Sequence, residues 1–279
     1  DFKGLKIAID CANGASYMVA PAVLSQLGAD VMVIHNQPDG ININSNCGST
    51  HMEDLQKFVV ESGADVGLAF DGDADRLLAV DEKGELIDGD KIMAIIGLDL
   101  KKKGKLSSNT IVATVMSNLG LDIMAKREGL NIVKTKVGDR YVLEKMLEEG
   151  YVLGGEQSGH IIFLEHSTTG DGLLTAVQLL SVLKASGKKL SELGSVMQSL
   201  PQVLKNAKVS NGNKNRFMED EVIAKMCRDL EQEFNGEGRV LIRPSGTEPL
   251  VRVMIEGKDL QYIKSRAEEL ANLIESRLG

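Results

Sequence analysis

Residues 63–96 read GADVGLAFDGDADRLLAVDEKGELIDGDKIMAII, and residues 149–180 read EGYVLGGEQSGHIIFLEHSTTGDGLLTAVQLL. Both stretches hold, in the same order, an apolar strand, a polar loop, a second strand, a Gly-Asp pair and an apolar helix. Gly89-Asp90 in the first is answered by Gly170-Asp171 in the second, and each Asp is placed to cap the helix it opens. The loops beginning at Asp71 and at Glu156 therefore occupy equivalent places in a duplicated plan.

The residues ahead of each copy extend the repeat. LKIAID (5–10), the turn CANGAS, a helical pattern over Met18 to Leu27 and GADVMVI form a strand-helix-strand unit. TIVATVM from Thr110, the turn SNLG, a helical stretch over Leu121 to Glu128 and LNIVKT form a second. Open α/β sheets gather ligands at the carboxyl ends of their strands, so two equivalent loops there predict a shared site. After a helix ending near Lys189 the chain softens, with a linker around Leu200 and Pro201. Helix (about Asp220 to Glu233), strand (GRVLIR), loop (PSGTEP), strand (LVRVMIEG) and helix (Asp259 to Leu278) then follow. The expected fold class is α/β: two similar α/β sandwich domains with mixed sheets, 1–84 and 85–199, and a small α+β carboxy-terminal domain, 200–279.

Bulk properties exclude several function classes. A net charge of −8 argues against nucleic acid, which is bound through clustered Lys and Arg; the one basic run, Lys101 to Lys105, reads as a solvated helix end. No apolar run approaches the roughly 20 residues of a membrane span, and no signal peptide precedes the first strand. Three cysteines at irregular spacing, Cys11, Cys47 and Cys227, fit neither a disulfide framework nor a zinc site and point to a cytoplasmic protein. An anionic ligand must then be held by a few placed arginines and backbone amides rather than by the overall field.

FDGDADR (70–76) follows an apolar strand and sets Asp71, Asp73 and Asp75 at alternating positions with little bulk between them. Three carboxylates so close repel unless a hard cation neutralises them, and Mg²⁺, which takes oxygen ligands and leaves positions for a substrate phosphate, fits best. An EF-hand needs Gly where this chain has Arg76, and its flanks are helices, not strands. A phosphatase of the haloacid dehalogenase type, with the first Asp as nucleophile, stays open on these residues alone. GGEQSGH (154–160) offers the carboxylate of Glu156, the Ser158 hydroxyl and the His160 imidazole, a set suited to sugar hydroxyls. RPSGTEPLVR (243–252) offers the Ser245 and Thr247 hydroxyls, the flexible Gly246 backbone and the bracketing Arg243 and Arg252, the donors a phosphate needs.

In this order the three loops resemble those of the α-D-phosphohexomutase superfamily, over the whole chain. FDGDADR resembles its metal loop, GEQSGH its sugar loop and RPSGTEPLVRV its phosphate loop. PDGININ with NCGSTH, VATVMSNLG and TKVGDRY look like the glucosamine branch. The resemblance implies a mutase that moves a phosphoryl group between the 6- and 1-positions of glucosamine phosphate through a phosphoserine and a 1,6-bisphosphate. It implies Mg²⁺ on Asp71, Asp73 and Asp75, with Arg76 stabilising the transition state. Glu156, Ser158 and His160 would serve the sugar, and Arg243, Ser245, Gly246, Thr247 and Arg252 the phosphate. Superfamily members carry the phosphoserine in a first domain, and this chain is similar to the second, third and fourth. Ser49 in GSTH lies in the part similar to the second domain and reads as structural. The fragment is accordingly expected to be inactive alone and monomeric, and the full-length enzyme a homodimer. A phosphomannomutase or phosphoglucomutase, a self-sufficient phosphosugar phosphatase and a non-catalytic phosphosugar-binding module are the competing readings.

Overall fold

The structure, a computed structural model, describes residues 1–210, 212–246 and 248–279. In chain order the first sheet and its helices are β1 (Lys6–Asp10), α1 (Ser16–Gln26), β2 (Asp30–Ile34), α2 (Glu53–Ser62), β3 (Val66–Phe70), β4 (Leu77–Asp81) and β5 (Leu86–Ile87). The strands lie in the order β2-β1-β3-β4-β5, with β1, β2 and β3 parallel and the last two antiparallel. Helix α3 (Gly89–Lys102) leads to β6 (Thr110–Thr114), α4 (Leu119–Glu128), β7 (Asn131–Thr135), α5 (Asp139–Glu149), β8 (Leu153–Gly155) and β9 (Ile161–Phe163). Their order is β7-β6-β8-β9, again parallel with an antiparallel final strand. The duplicated plan is thus present in four strands of each sheet, while β5 has no counterpart in the second.

β3 and β6 are buried along their whole length, which explains their unbroken apolar sequences: a strand covered on both faces shows no alternation. Helix α3 packs against β4, β5 and β8 and so joins the cores of the two sheets. Its Ile92, Met93, Ile95 and Ile96 are at most 4% exposed. At roughly 1.5–3 kcal/mol for each such side chain, α3 contributes on the order of 6–12 kcal/mol of burial, an upper bound against a fully extended chain.

At two helix ends the departure from the sequence expectation has a visible physical cause. The cap of α3 is Asp88, whose carboxylate accepts from the Lys91 N–H at 3.0 Å, while Asp90 lies buried in the first turn. The helix starts two residues early, with the Gly89 N–H drawn to the Gln157 carbonyl (3.0 Å). The corresponding pairs are therefore Asp88-Gly89 and Asp171-Gly172, and Asp171 does cap α6 (Gly172–Ser186) through the Leu174 N–H at 2.9 Å. That helix stops at Ser186 rather than near Lys189 because Gly187 adopts φ 64°, a left-handed cap. The short α7 (Leu190–Gly194) follows.

The remaining elements are β10 (Gln202–Lys208), α8 (Glu221–Phe234), β11 (Gly238–Pro244), β12 (Leu250–Gly257) and α9 (Leu260–Leu278). They form an antiparallel sheet ordered β10-β12-β11, with its own core of Ile223, Leu230, Val253, Ile263 and Leu270 among others. Strand β10 occupies the stretch expected to be soft. It is an edge strand whose residues are mostly exposed or half-buried, so its apolar alternation is weak. Asp220 and Asp259 cap α8 and α9, accepting from the Ile223 and Tyr262 N–H groups. The chain divides into two compact units, 1–117 with 121–198, and 118–120 with 199–279. Among the described residues no helix is long and apolar enough to cross a membrane.

Candidate active site

Phe70 ends β3 fully buried, and the next residues turn sharply enough that the Ala74 N–H reaches the Asp71 carbonyl (3.1 Å) and Ala74 takes a left-handed φ of 64°. The turn gathers carboxylate oxygens of Asp71, Asp73 and Asp75 within 4.8 Å of one another. Burial pushes the Asp71 carboxyl up from 3.8 to about 6, with the Asp75 and Asp73 charges adding to it and the Arg76 N–H, 3.1 Å from Oδ1, opposing. Arg76 Nε lies 3.8 Å from both Asp71 Oδ2 and Asp75 Oδ1, too far to neutralise either by a hydrogen bond. The donor set is all oxygen, and its charge is incompletely compensated by protein groups. It fits a hard divalent cation such as Mg²⁺.

The second loop is sewn to the first. Leu77 N–H donates to the Gly159 carbonyl (3.1 Å), Arg76 and His160 form an antiparallel bridge, and Gly172 N–H donates to the Ala74 carbonyl (2.9 Å). Gly159 has φ 96°, and a Cβ on it would come within 2.3 Å of the Leu77 carbonyl oxygen, so no other residue fits without moving the backbone. Buried His160 places Nδ1 2.9 Å from Asp75 Oδ2, while the Gly170 N–H donates to its Nε2 at 3.0 Å. An acceptor at Nε2 puts the ring proton on Nδ1, aimed at the Asp75 carboxylate. Asp139 Oδ2 stands 3.9 Å from Nε2. His160 therefore orients a residue of the acidic loop as well as supporting its own, a role the sequence did not suggest because the partners are 85 residues apart.

Glu156 Oε1 accepts from the Gly138 N–H (3.1 Å), tying the loop to the start of α5, and Ser158 is exposed. A cavity of about 370 Å³ opens beside the carboxylates, lined by Ser16, Asp73, Asp75, Thr169, Gly170 and Asp171 among others. A larger one of about 500 Å³, with Leu5, Ala64, Lys184 and Lys189 in its wall, holds none of the site residues. Chemistry rather than volume decides between them.

In the carboxy-terminal unit, the third loop joins β11 to β12. Arg243 and Arg252 face each other across the two strands. Burial, then the Arg252 charge, holds the Arg243 guanidinium below its ordinary value. Like charges paired across strands favour a bound anion. Ser245 is buried, its N–H bonded to the Leu250 carbonyl (2.9 Å) and its Oγ accepting from the Glu248 N–H (3.2 Å). Its hydroxyl thus closes the turn and keeps a proton to donate. Gly246 is exposed with open space around it, and Lys214 Nζ reaches the Ser245 carbonyl (3.0 Å), a further cation near the loop. Glu248 Oε2 lies 3.5 Å from Arg252. Thr247 lies outside the described residues. The loops 70–76 and 154–160 share one compact unit, and Arg243, Ser245, Gly246 and Arg252 belong to the other.

Comparison with known proteins agrees with these features. Sequence models of phosphoglucomutase/phosphomannomutase match in succession: alpha/beta/alpha domain II over residues 2–84, alpha/beta/alpha domain III over 88–200 and the C-terminal domain over 204–273. The chain is 77% identical to the phosphoglucosamine mutase of Acetivibrio thermocellus and 73% to that of Ruminiclostridium cellulolyticum. All of this chain aligns with each of them, and it spans 62% of their length. Among solved structures, Aspergillus fumigatus N-acetylphosphoglucosamine mutase, in complex with GlcNAc-6P and magnesium, has a similar fold. Its TM-score is 0.78 at 20% identity, over 98% of this chain and 62% of that one. A phosphoglucomutase/phosphomannomutase family protein from Burkholderia thailandensis gives 0.77 at 23% identity, over 99% and 62%. The chain belongs to the phosphoglucomutase/phosphomannomutase family, carrying its second, third and C-terminal domains.

Proposed function

We propose that this chain is the metal-, sugar- and phosphate-binding part of a phosphoglucosamine mutase, which interconverts glucosamine 6-phosphate and glucosamine 1-phosphate through a phosphoserine and a 1,6-bisphosphate. The phosphoserine belongs to a domain outside this chain, and the chain alone is inactive. The observation that carries the reading is the acidic loop: three carboxylates crowded at a strand end, one of them gripped by the histidine of the sugar loop. Identity of 61–77% to phosphoglucosamine mutases supports the amino-sugar substrate over mannose or glucose phosphates.

In this reading Asp71, Asp73 and Asp75 hold Mg²⁺, which supplies charge neutralisation at the transferring phosphoryl group. Arg76 lies beside these acids and stabilises the same developing charge. His160 keeps Asp75 turned inward, and Glu156 and Ser158 meet sugar hydroxyls, Glu156 while bracing Gly138. Arg243, Ser245, Gly246, Thr247 and Arg252 hold the phosphate that is not reacting. Because the bisphosphate must be used in both orientations, this clamp recognises phosphate without regard to the carbon that bears it. The segments 1–84, 85–199 and 200–279 correspond to three domains, the first two of which share one compact unit. All three cysteines are free thiols, which supports a cytoplasmic setting. The chain alone is a monomer and the full-length enzyme a homodimer; light scattering at the mass of two chains would count against the first.

Calorimetric titration separates this from the alternatives. The chain is expected to bind Mg²⁺ and glucosamine 6-phosphate without releasing inorganic phosphate. Phosphate release that disappears in Asp71→Asn while Mg²⁺ still binds would instead favour a phosphatase with Asp71 as nucleophile.

A further inference from the structure

A second group of ligating side chains lies apart from the acidic loop, at the carboxyl ends of β1 and β2. Asp10 closes β1, His35 follows β2, and Cys47 enters from the segment before α2. One ligand atom from each lies within 4.8 Å of the others. Asp10 and Cys47 are fully buried, while the His35 side chain is 27% exposed and forms the edge open to solvent. Asp10 Oδ1 accepts from the Ala12 N–H (2.8 Å) and Oδ2 from the Gly48 N–H (2.9 Å), so the carboxylate is held rigidly by backbone. His35 Nδ1 lies 2.9 Å from the same Oδ2.

Further polar groups hold the trio in place. His35 presents its other nitrogen, Nε2, to Asp54 Oδ2 at 3.4 Å, the arrangement in which a metal-ligating histidine passes its remaining N–H to a carboxylate. Asn13 turns Nδ2 toward Cys47 Sγ (3.8 Å), and its Oδ1 is fixed by the Gln37 N–H (3.0 Å). A cavity of about 210 Å³ bordered by His35, Asp54, Lys57 and Glu61 lies at the exposed edge of the imidazole. From this geometry we infer a binding site for a borderline-soft divalent cation of the zinc class, ligated by Asp10 Oδ2, His35 Nδ1 and the Cys47 thiolate, with solvent in the fourth position. Sulfur and imidazole separate it from the all-oxygen Asp71 loop, so the two sites take different ions. Binding moves the imidazole proton from Nδ1 to Nε2, facing Asp54, and sends the thiol proton to solvent. The site is one loop from the acidic cluster: the Ala15 N–H, just past Cys11 and Asn13, donates to the Gly72 carbonyl (2.8 Å).

The test uses the full chain, stripped with chelator, saturated with Mg²⁺ and titrated with Co²⁺. Thiolate-to-cobalt charge-transfer absorption is expected to rise to one equivalent per chain, to vanish in Cys47→Ser and to persist in Cys227→Ser. No such band at one equivalent, or a band that survives Cys47→Ser, overturns the site and leaves the trio as a hydrogen-bonded brace. Should Cys47→Ser not fold, zinc X-ray absorption on the unaltered chain decides: one sulfur among nitrogen and oxygen ligands is expected, and a shell without sulfur refutes the assignment.

Discussion

Replacing Asp71 by Asn removes a charge that the metal-free protein is poorly built to carry. Its carboxyl is lifted from 3.8 to about 6, first by burial and then by Asp75 and Asp73. At ~1.4 kcal/mol per tenfold change in proton affinity, holding Asp71 ionised at neutral pH costs about 3 kcal/mol at most. The loop is open to water on one side and the acids titrate together, so about 1–2 kcal/mol is the expected gain from the substitution. Asn keeps an Oδ1 to accept the Arg76 N–H, so the turn survives. For a unit of roughly 200 residues the gain is a rise in melting temperature of about 2–8 °C.

The sign depends on pH and on metal. A carboxyl raised in the folded state binds its proton more tightly there than in the unfolded chain. Metal-free wild type therefore loses stability as pH rises from about 4 through about 6, and Asp71→Asn does not share that loss. Saturating Mg²⁺ reverses the order, because at a hundredfold excess over Kd it stabilises wild type by ~2.7 kcal/mol and the variant much less. The assay is thermal unfolding by circular dichroism in EDTA and in Mg²⁺ between pH 5 and 8. A variant less stable than wild type under both conditions at neutral pH would refute the account of Asp71 as a frustrated charge awaiting a cation.

Further substitutions probe the contacts around that loop. His160→Ala removes the Nδ1–H that orients Asp75, and a drop of about tenfold or more in Mg²⁺ affinity by calorimetry is expected, as for other partners of metal ligands. Gly159→Ala forces a Cβ to 2.3 Å from the Leu77 carbonyl at a φ that suits only glycine, and urea unfolding should show a loss of about 3 kcal/mol or more. Arg252→Ala relieves repulsion with Arg243 but also removes the Glu248 ion pair, so without anions stability should change by less than about 1 kcal/mol while phosphate affinity falls at least tenfold. Thermal shift with and without phosphate reads both effects.

The periodic parts of this fold could be read from the residues themselves. Val66–Phe70, Thr110–Thr114 and α3 are apolar in runs that match their burial, and the duplicated loop positions follow from them. Elements whose sequence gives a weak signal escaped: β10 is a mostly exposed edge strand, and α2 and α5 join strands without a distinctive start. The cap of α3 shifted from Asp90 to Asp88 because a tertiary hydrogen bond, Gly89 to Gln157, sets where the helix begins. At the site, alternation alone pointed to Asp71, Asp73 and Asp75. The hold of His160 on Asp75 joins residues 85 apart, and the meeting of Asp10, His35 and Cys47 arises from strand order, which spacing along the chain does not encode.

The most direct test joins this chain to the part of the Acetivibrio thermocellus relative that it does not span and follows glucosamine 6-phosphate by ³¹P NMR in Mg²⁺. Conversion to glucosamine 1-phosphate is expected, abolished together with Mg²⁺ binding when Asp71, Asp73 and Asp75 are replaced by Asn. A folded, phosphorylated protein that leaves the sugar phosphate unchanged, or that only hydrolyses it, would contradict the account.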